Sequence, residues 1–210
     1  MKKSNSLSLL MTIGGLVVII ACVLFLVLQK ISLERKLSQA VVVLQHERSK
    51  NVVLQSNVVL SMQSSGKLID NKIQLVGVSG KKYTVSEIFA GETPILIFRF
   101  SLQGCSPCIG AAFGYLRRLA EEVNPNKLRT VIIIQDITLR EMLIASLQRE
   151  NSQFTFYLAD ETGLGLPIDN EFVSYLAIVY RYKTSNVFVV DRMFLPLLER
   201  YINTLIEIYK

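Results

Sequence analysis

Tryptophan is absent from this 210-residue chain, histidine occurs once, and there are three cysteines and five prolines. These shortages exclude chemistry. A protein zinc site needs several Cys, His or carboxylate ligands at characteristic spacing. Besides Cys105 and Cys108 the chain offers only Cys22 and His46, both far upstream. No metal is expected, and no cofactor. A charge excess is missing from most of the chain too, although the formal net charge is +6. Residues 1–65 hold seven Lys/Arg against Glu34 and Glu47, while residues 66–210 hold sixteen Lys/Arg and fifteen Asp/Glu. The basicity therefore flanks an apolar segment, where anionic headgroups attract it, and nucleic acid is not an expected partner.

That segment is residues 9–28, twenty residues without a charge. As a helix they span about 30 Å, the thickness of a bilayer's hydrocarbon. Residues 1–30 are thus expected to be a membrane anchor, a single transmembrane helix acting as a signal-anchor. Lys2 and Lys3 resemble a signal n-region, but the apolar core is too long for an ordinary cleaved signal. Ile19-Ile20-Ala21-Cys22 resembles a degenerate lipobox, which would make Cys22 a lipid anchor. The run continues through Val23 and Leu28, however, so Cys22 reads as a small apolar residue within the membrane.

Residues 31–65 read as a helical stalk. Leu37, Leu44 and Val58 fall at multiples of seven, Asn51 takes the missing place, and Glu47 interrupts a second stripe of Leu33, Ala40 and Leu54. The pattern is too broken for a coiled coil, which leaves a single helix or a stalk-mediated dimer. His46 reads as a solvated stalk residue. Ser64-Ser65-Gly66 marks the boundary of a domain over 66–210.

Residues 94–119 organise that domain. Ile95, Leu96, Ile97, Phe98 and Phe100 form a short apolar run after Pro94, the pattern of a strand buried on both faces. Residues 101–104 break it. Cys105-Ser106-Pro107-Cys108 then opens a helical pattern through Ile109, Ala112, Phe113, Leu116 and Leu119. A thiolate at a helix N-terminus lies near unpaired N–H groups and the positive dipole end, which lowers its pKa below the free value of about 8.5. Cys108, one turn further in, is close enough to close or resolve a disulfide with it. Pro107 suits the first turn, where its missing N–H is not needed. A purely structural bridge would close too small a loop to be useful, so the pair reads as a redox dithiol.

Around this stretch the expected order is a hairpin at 72–76 and 82–85 about Ser79-Gly80, then a helical turn at 86–89. A second buried strand follows at 130–135, parallel to the first if the helix is the crossover. Next come an amphipathic helix at 138–149, a strand at 154–158, and a loop at 160–169 carrying Gly163, Gly165 and Pro167. Residues 172–178 read as a helix whose end is blurred by β formers up to Tyr182. A strand at 186–191 and a helix at 196–209 close the chain. The fold class is α/β.

Phe100 to Cys108 resemble the thioredoxin superfamily, specifically the membrane-tethered bacterial TlpA/ResA-like thioredoxins, in which an apolar strand leads through a turn into C-x-P-C and a long helix. The resemblance implies a mixed sheet flanked by helices. It also implies a thiol–disulfide oxidoreductase in which Cys105 attacks and Cys108 resolves, with a protein thiol or disulfide as substrate and a further redox partner. An extracytoplasmic, periplasmic domain is expected from the resemblance and the N-terminal anchor, whereas Lys30, Arg35, Lys36 and Arg48 after the anchor lean the other way.

Several positions depart from the family pattern. Its cis-proline precedes a strand of the type Phe-Leu-Ile-Asp. Aligning Phe188-Val189-Val190-Asp191 with that strand puts Ser185 at the proline position, after Thr184. A non-proline cis bond costs about 2.5–4 kcal/mol, so a trans Ser185 and a differently shaped docking loop are expected. Gly104 stands where tryptophan is usual. Arg99 stands where a buried acid handles protons of the second thiol. It either points at the thiolate and lowers its pKa or reaches the sheet edge and is paired. No glycine follows Asp191 to mark the last hairpin. A peroxiredoxin would need Ser or Thr where Leu102 stands. The other alternative is a thioredoxin-fold binding module, redox-inactive or redox-sensing.

Overall fold

Ile95–Phe100 is buried at all six positions because neighbours pair with it on both sides. In the computed structural model, which describes residues 3–101, 104–135, 141–160, 162–171 and 173–210 (side chains at 3–14, 17–19 and 141–143 excepted), this segment is β3 of a seven-stranded sheet. The elements are α1 (Lys3–Ser64), β1 (Gln74–Gly77), β2 (Lys82–Thr84), α2 (Val85–Ile88), β3, α3 (Ser106–Glu122), β4 (Arg129–Gln135), α4 (Glu141–Glu150) and β5 (Thr155–Ala159). A 3-10 turn (Pro167–Glu171), β6 (Tyr175–Tyr180), β7 (Lys183–Val189), a second 3-10 turn (Arg192–Phe194) and α5 (Leu195–Tyr209) follow.

The strand order is β2-β1-β5-β4-β3-β6-β7. β3, β4 and β5 are mutually parallel, and β6 runs antiparallel to β3. Side chains alternate across each strand, so β3 feeds two cores. Leu96, Phe98 and Phe100 join Ala112, Phe113, Leu116 and Ile202 of α3 and α5. Phe113 meets Phe98 and Phe100 edge-on at 5.5 and 5.8 Å. Ile95 and Ile97 face the other way, toward Leu75, Val85, Phe89 and Leu164. The hairpin of β1 and β2 pairs in register from Gln74 with Thr84 to Val76 with Lys82. It leads into α2 through a capping box between Thr84 and Glu87.

Two expectations fail between 172 and 191. Tyr175–Tyr180 is a buried strand, not the end of a helix. Its β-branched and aromatic residues pair with both β3 and β7, and tertiary pairing overrides a short helical pattern. The last hairpin turns at Arg181 and Tyr182, with φ of 48° and 64°. Such two-residue turns favour Gly or Asn, so this one is silent in the sequence. β7 therefore starts at Lys183, ahead of the expected strand, and Asn186 (φ 49°) accompanies a register shift opposite Ala177.

The chain divides into two compact units, 1–53 and 54–210. In the second, Leu60 packs against the core and Ser64 is fully buried. Among the described residues no helix is long and apolar enough to cross a membrane, and much of the 9–28 run lies outside the side chains described. The start of the expected 138–149 helix, Leu102 and Asp136 also lie outside the described residues.

Candidate functional site: a dithiol at a helix start

Cys105 is the N-cap of α3, in extended conformation (φ −67°, ψ 97°). A side-chain acceptor there satisfies one of the N–H groups that a helix start leaves unpaired. Cys105 Sγ accepts from the Cys108 N–H at 3.3 Å. No acidic residue occupies the first turn to oppose the positive helix end, and Pro107 sits within it. The Gly104 N–H donates to the Ser101 carbonyl at 3.0 Å, closing the turn.

Cys105 and Cys108 are joined by a disulfide, with Cα atoms 5.2 Å apart. Cys105, Ser106 and Pro107 are exposed, whereas Cys108 is fully buried among the α3 core residues. One sulfur is presented to solvent and its partner is shielded. Such a pair accepts attack at Cys105 and protects Cys108 until a mixed bond forms. Among the described residues no cluster of His, Cys, Asp or Glu could hold a metal ion.

The start of β6 forms the neighbouring wall. Tyr175 pairs with Arg99 near the end of β3, which brings Ser174 beside the turn. A Cβ added to Gly104 would stand 3.1 Å from the Ser101 carbonyl oxygen and 3.6 Å from Ser174 Oγ. Ser174 is buried, and its carbonyl accepts from the Val190 N–H at 2.8 Å.

Thr184 and Ser185 are elsewhere. The register runs Ile95–Val179–Thr184, placing both at the opposite end of β3, about 16 Å along the strand from Phe100. Thr184 Oγ1 donates to the carbonyls of Ser64 (2.5 Å) and Lys67 (3.0 Å). Ser185 Oγ donates to the Ile178 carbonyl at 3.4 Å. Both line a surface groove with Met62 and Asn186. The strand that pairs with β3 is β6, not β7, so Ser174 rather than Ser185 lies beside Gly104, the residue before Cys105. No proline lies between Pro167 and Pro196, and no cis peptide bond occurs among the described residues.

Arg99 is paired, but inside the sheet rather than at its edge. Its side chain is fully buried on the face away from α3, since Phe98 and Phe100 point toward that helix. Nε lies 3.3 Å from Asp169 Oδ1. Nη1 donates to the Val173 carbonyl at 2.7 Å and Nη2 to the Asp169 carbonyl at 3.2 Å. The Asp169 carboxylate also accepts from the Leu164 and Leu166 N–H groups and the Tyr175 hydroxyl, each at 2.9 Å. Burial raises the Asp169 pKa, opposed first by the Arg99 charge and then by these hydrogen bonds. Burial likewise lowers that of Arg99, opposed by Tyr175 and Asp169.

Sequence reasoning missed Asp169, Ser174 and Tyr175. The available signal was Asp169 itself, an acid between a Gly-x-Gly-x-Pro loop and an apolar run.

No family model matches the sequence, and no curated protein matches it. Solved structures do. A candidate electron transfer protein from Aquifex aeolicus VF5 superposes with a TM-score of 0.50 at 15% identity, over 67% of this chain and 95% of its own. A thioredoxin-like protein from Porphyromonas gingivalis gives 0.48 at 14% identity, over 69% and 94%. A secreted disulfide oxidoreductase from Mycobacterium tuberculosis gives 0.46 at 12% identity, over 63% and 96%.

Proposed function

We propose that this chain, whose fold is that of the thioredoxin superfamily, is a membrane-anchored thiol–disulfide oxidoreductase acting on protein dithiols and disulfides through Cys105 and Cys108. The observation that carries the reading is an exposed cysteine at a helix N-cap, bonded to a buried one a turn later.

In the reducing direction the dithiol form loses a proton from Cys105, and the thiolate attacks one sulfur of a substrate disulfide. That S–S bond breaks, its other sulfur leaves as a thiolate, and a mixed disulfide forms. Cys108 then loses its proton and attacks Cys105 Sγ. The mixed bond breaks, the second substrate thiolate departs, and the Cys105–Cys108 bond is restored. Two electrons pass to the substrate, and a dithiol partner returns the pair to the reduced form. Run backward, the same steps oxidise a substrate dithiol.

The test is exchange between the full-length protein and a protein disulfide, with a small dithiol as electron source. Catalysed reduction that disappears in Cys105→Ala is expected; no rate above background would overturn the reading. A second reading, a binding module with a redox-sensing disulfide, draws support from Arg99, which stands in place of an acid and is taken up by Asp169. It requires a dithiol that cycles without turnover.

The anchor belongs to the same proposal and is supported by the uncharged run at 9–28. The domain faces away from the cytoplasm. Protease treatment of spheroplasts should digest it, and protection would reverse the orientation.

A further inference from the structure

The Arg99–Asp169–Tyr175 cluster has no part in the electron transfer just described. Arg99 and Asp169 are 0% and 1% exposed, and Tyr175 is fully buried. A buried ion pair is poor evidence for stability, because desolvation offsets its attraction and apolar replacements often do as well. What this pair does supply is placement. Arg99 binds the Val173 and Asp169 carbonyls, and Asp169 binds the Leu164 and Leu166 N–H groups. Two side chains thereby gather residues 164–171 and 173–174 around one point on β3. The last of them, Ser174, lies beside the turn that presents Cys105.

We propose that Asp169, acting through Arg99, is a positioning residue of the exchange site: it fixes the main chain at 173–174 as the wall against which a protein substrate lies when its sulfur meets Cys105. This rests on the thiol-exchange reading above. Nη1 reaches the Val173 carbonyl, and the Asp169 carboxylate, 3.3 Å from Nε, supplies the charge that offsets the cost of burying the guanidinium there. Without the negative charge the buried guanidinium is left uncompensated, and the bond from Nη1 to the Val173 carbonyl that tethers the wall weakens. A small disulfide needs only Cys105 and is indifferent to the wall. A protein disulfide, whose flanking chain must be accommodated, is not.

The experiment compares full-length wild type, Asp169→Asn and Tyr175→Phe in exchange with a protein disulfide and with a small aromatic disulfide. Asp169→Asn should lower kcat/KM for the protein about tenfold, mainly through KM, while the small disulfide changes less than about twofold. Tyr175→Phe keeps the ring beside the guanidinium and loses one hydrogen bond to the carboxylate. Its effect on the protein substrate should be about two- to threefold in the same direction. Equal slowing of both substrates, or an unchanged KM in a cooperatively melting Asp169→Asn protein, would overturn the proposal. If Asp169→Asn does not fold, an unchanged KM in Tyr175→Phe does so. Wild type inactive toward both disulfides would remove the exchange reading and this inference together, whereas active wild type with indifferent variants removes the inference alone.

Discussion

At the residue scale the two cysteines differ by position alone. Cys105 caps the helix and is exposed; Cys108 lies one turn inside and is buried. Cys108→Ala should accumulate a mixed disulfide through Cys105, since attack remains possible and resolution does not. Cys105→Ala should accumulate little. Mass spectrometry of trapped adducts reads this directly, and adducts confined to Cys108 would reverse the roles. Gly163 is as constrained as either cysteine. Its φ is +60°, and a Cβ there would lie 2.6 Å from Asp169 Cγ, inside the buried cluster. Gly165 has φ +72°, but its added Cβ would meet only Ile73 Cδ1 at 3.5 Å. Gly165→Ala should cost about 1–2 kcal/mol of left-handed strain, and Gly163→Ala about 3 kcal/mol or more, because a packed side chain must also move. Thermal melting should show the larger loss at Gly163; equal losses would mean that the Asp169 carboxylate is free to shift.

At the element scale, α2 is a single turn held by its cap. The Thr84 N–H donates to Glu87 Oε2 at 2.6 Å, and the Glu87 N–H donates to Thr84 Oγ1 at 3.3 Å. The bond from the Thr84 backbone, followed by that from its side chain, lowers the Glu87 pKa below the ordinary 4.5. A carboxylate with a depressed folded pKa stabilises above its unfolded value, and the contribution fades as pH falls through the folded value. Hydrogen exchange at the Thr84 amide should therefore be protected near neutrality. That protection should weaken beyond the intrinsic trend as pH falls through the depressed Glu87 pKa, below the ordinary glutamate range, and Glu87→Gln should remove the pH dependence. Protection that persisted unchanged into acid would show that the box is not what holds the turn. The β6–β7 hairpin makes the complementary point. Arg181 and Tyr182 adopt positive φ without glycine, and Tyr182 packs against the core while the Lys67 and Ile69 main chains pair beside it.

At the scale of the whole molecule, the end of α1 belongs to the folded unit beginning at Leu54. Leu60 packs on the core, the Ile168 N–H donates to Ser64 Oγ at 3.2 Å, and Thr184 Oγ1 binds the Ser64 carbonyl. A fragment of residues 54–210 should be more stable than one of 66–210. Losing one partly buried leucine and three hydrogen bonds, the third from the Val187 N–H to Ser65 Oγ at 3.4 Å, costs roughly 3–4 kcal/mol, or a Tm about 6–15 °C lower in a domain of this size. Equal melting temperatures would show that the helix end contributes nothing to the domain.

What the sequence determined by itself was local. The β3 run, the helix start at Cys105, the hairpin at Ser79-Gly80 and the amphipathic α5 each carry a short-range pattern, and each is found at its expected place. So does the sequence spacing of Cys105 and Cys108, which one helical turn converts into bonding distance. What only the tertiary structure decided depends on residues far apart in the chain. Ser174 rather than Ser185 adjoins the dithiol because β6, not β7, pairs with β3. Arg99 lies on the face away from α3 because alternation along β3 gives that helix Phe98 and Phe100. Its charge is matched by Asp169, seventy positions later in a short 3-10 turn without apolar periodicity. Periodicity reports which face of an element is apolar, but strand partners and buried ion pairs are chosen by long-range packing, where desolvating an unpaired charge costs more than any local propensity can offset.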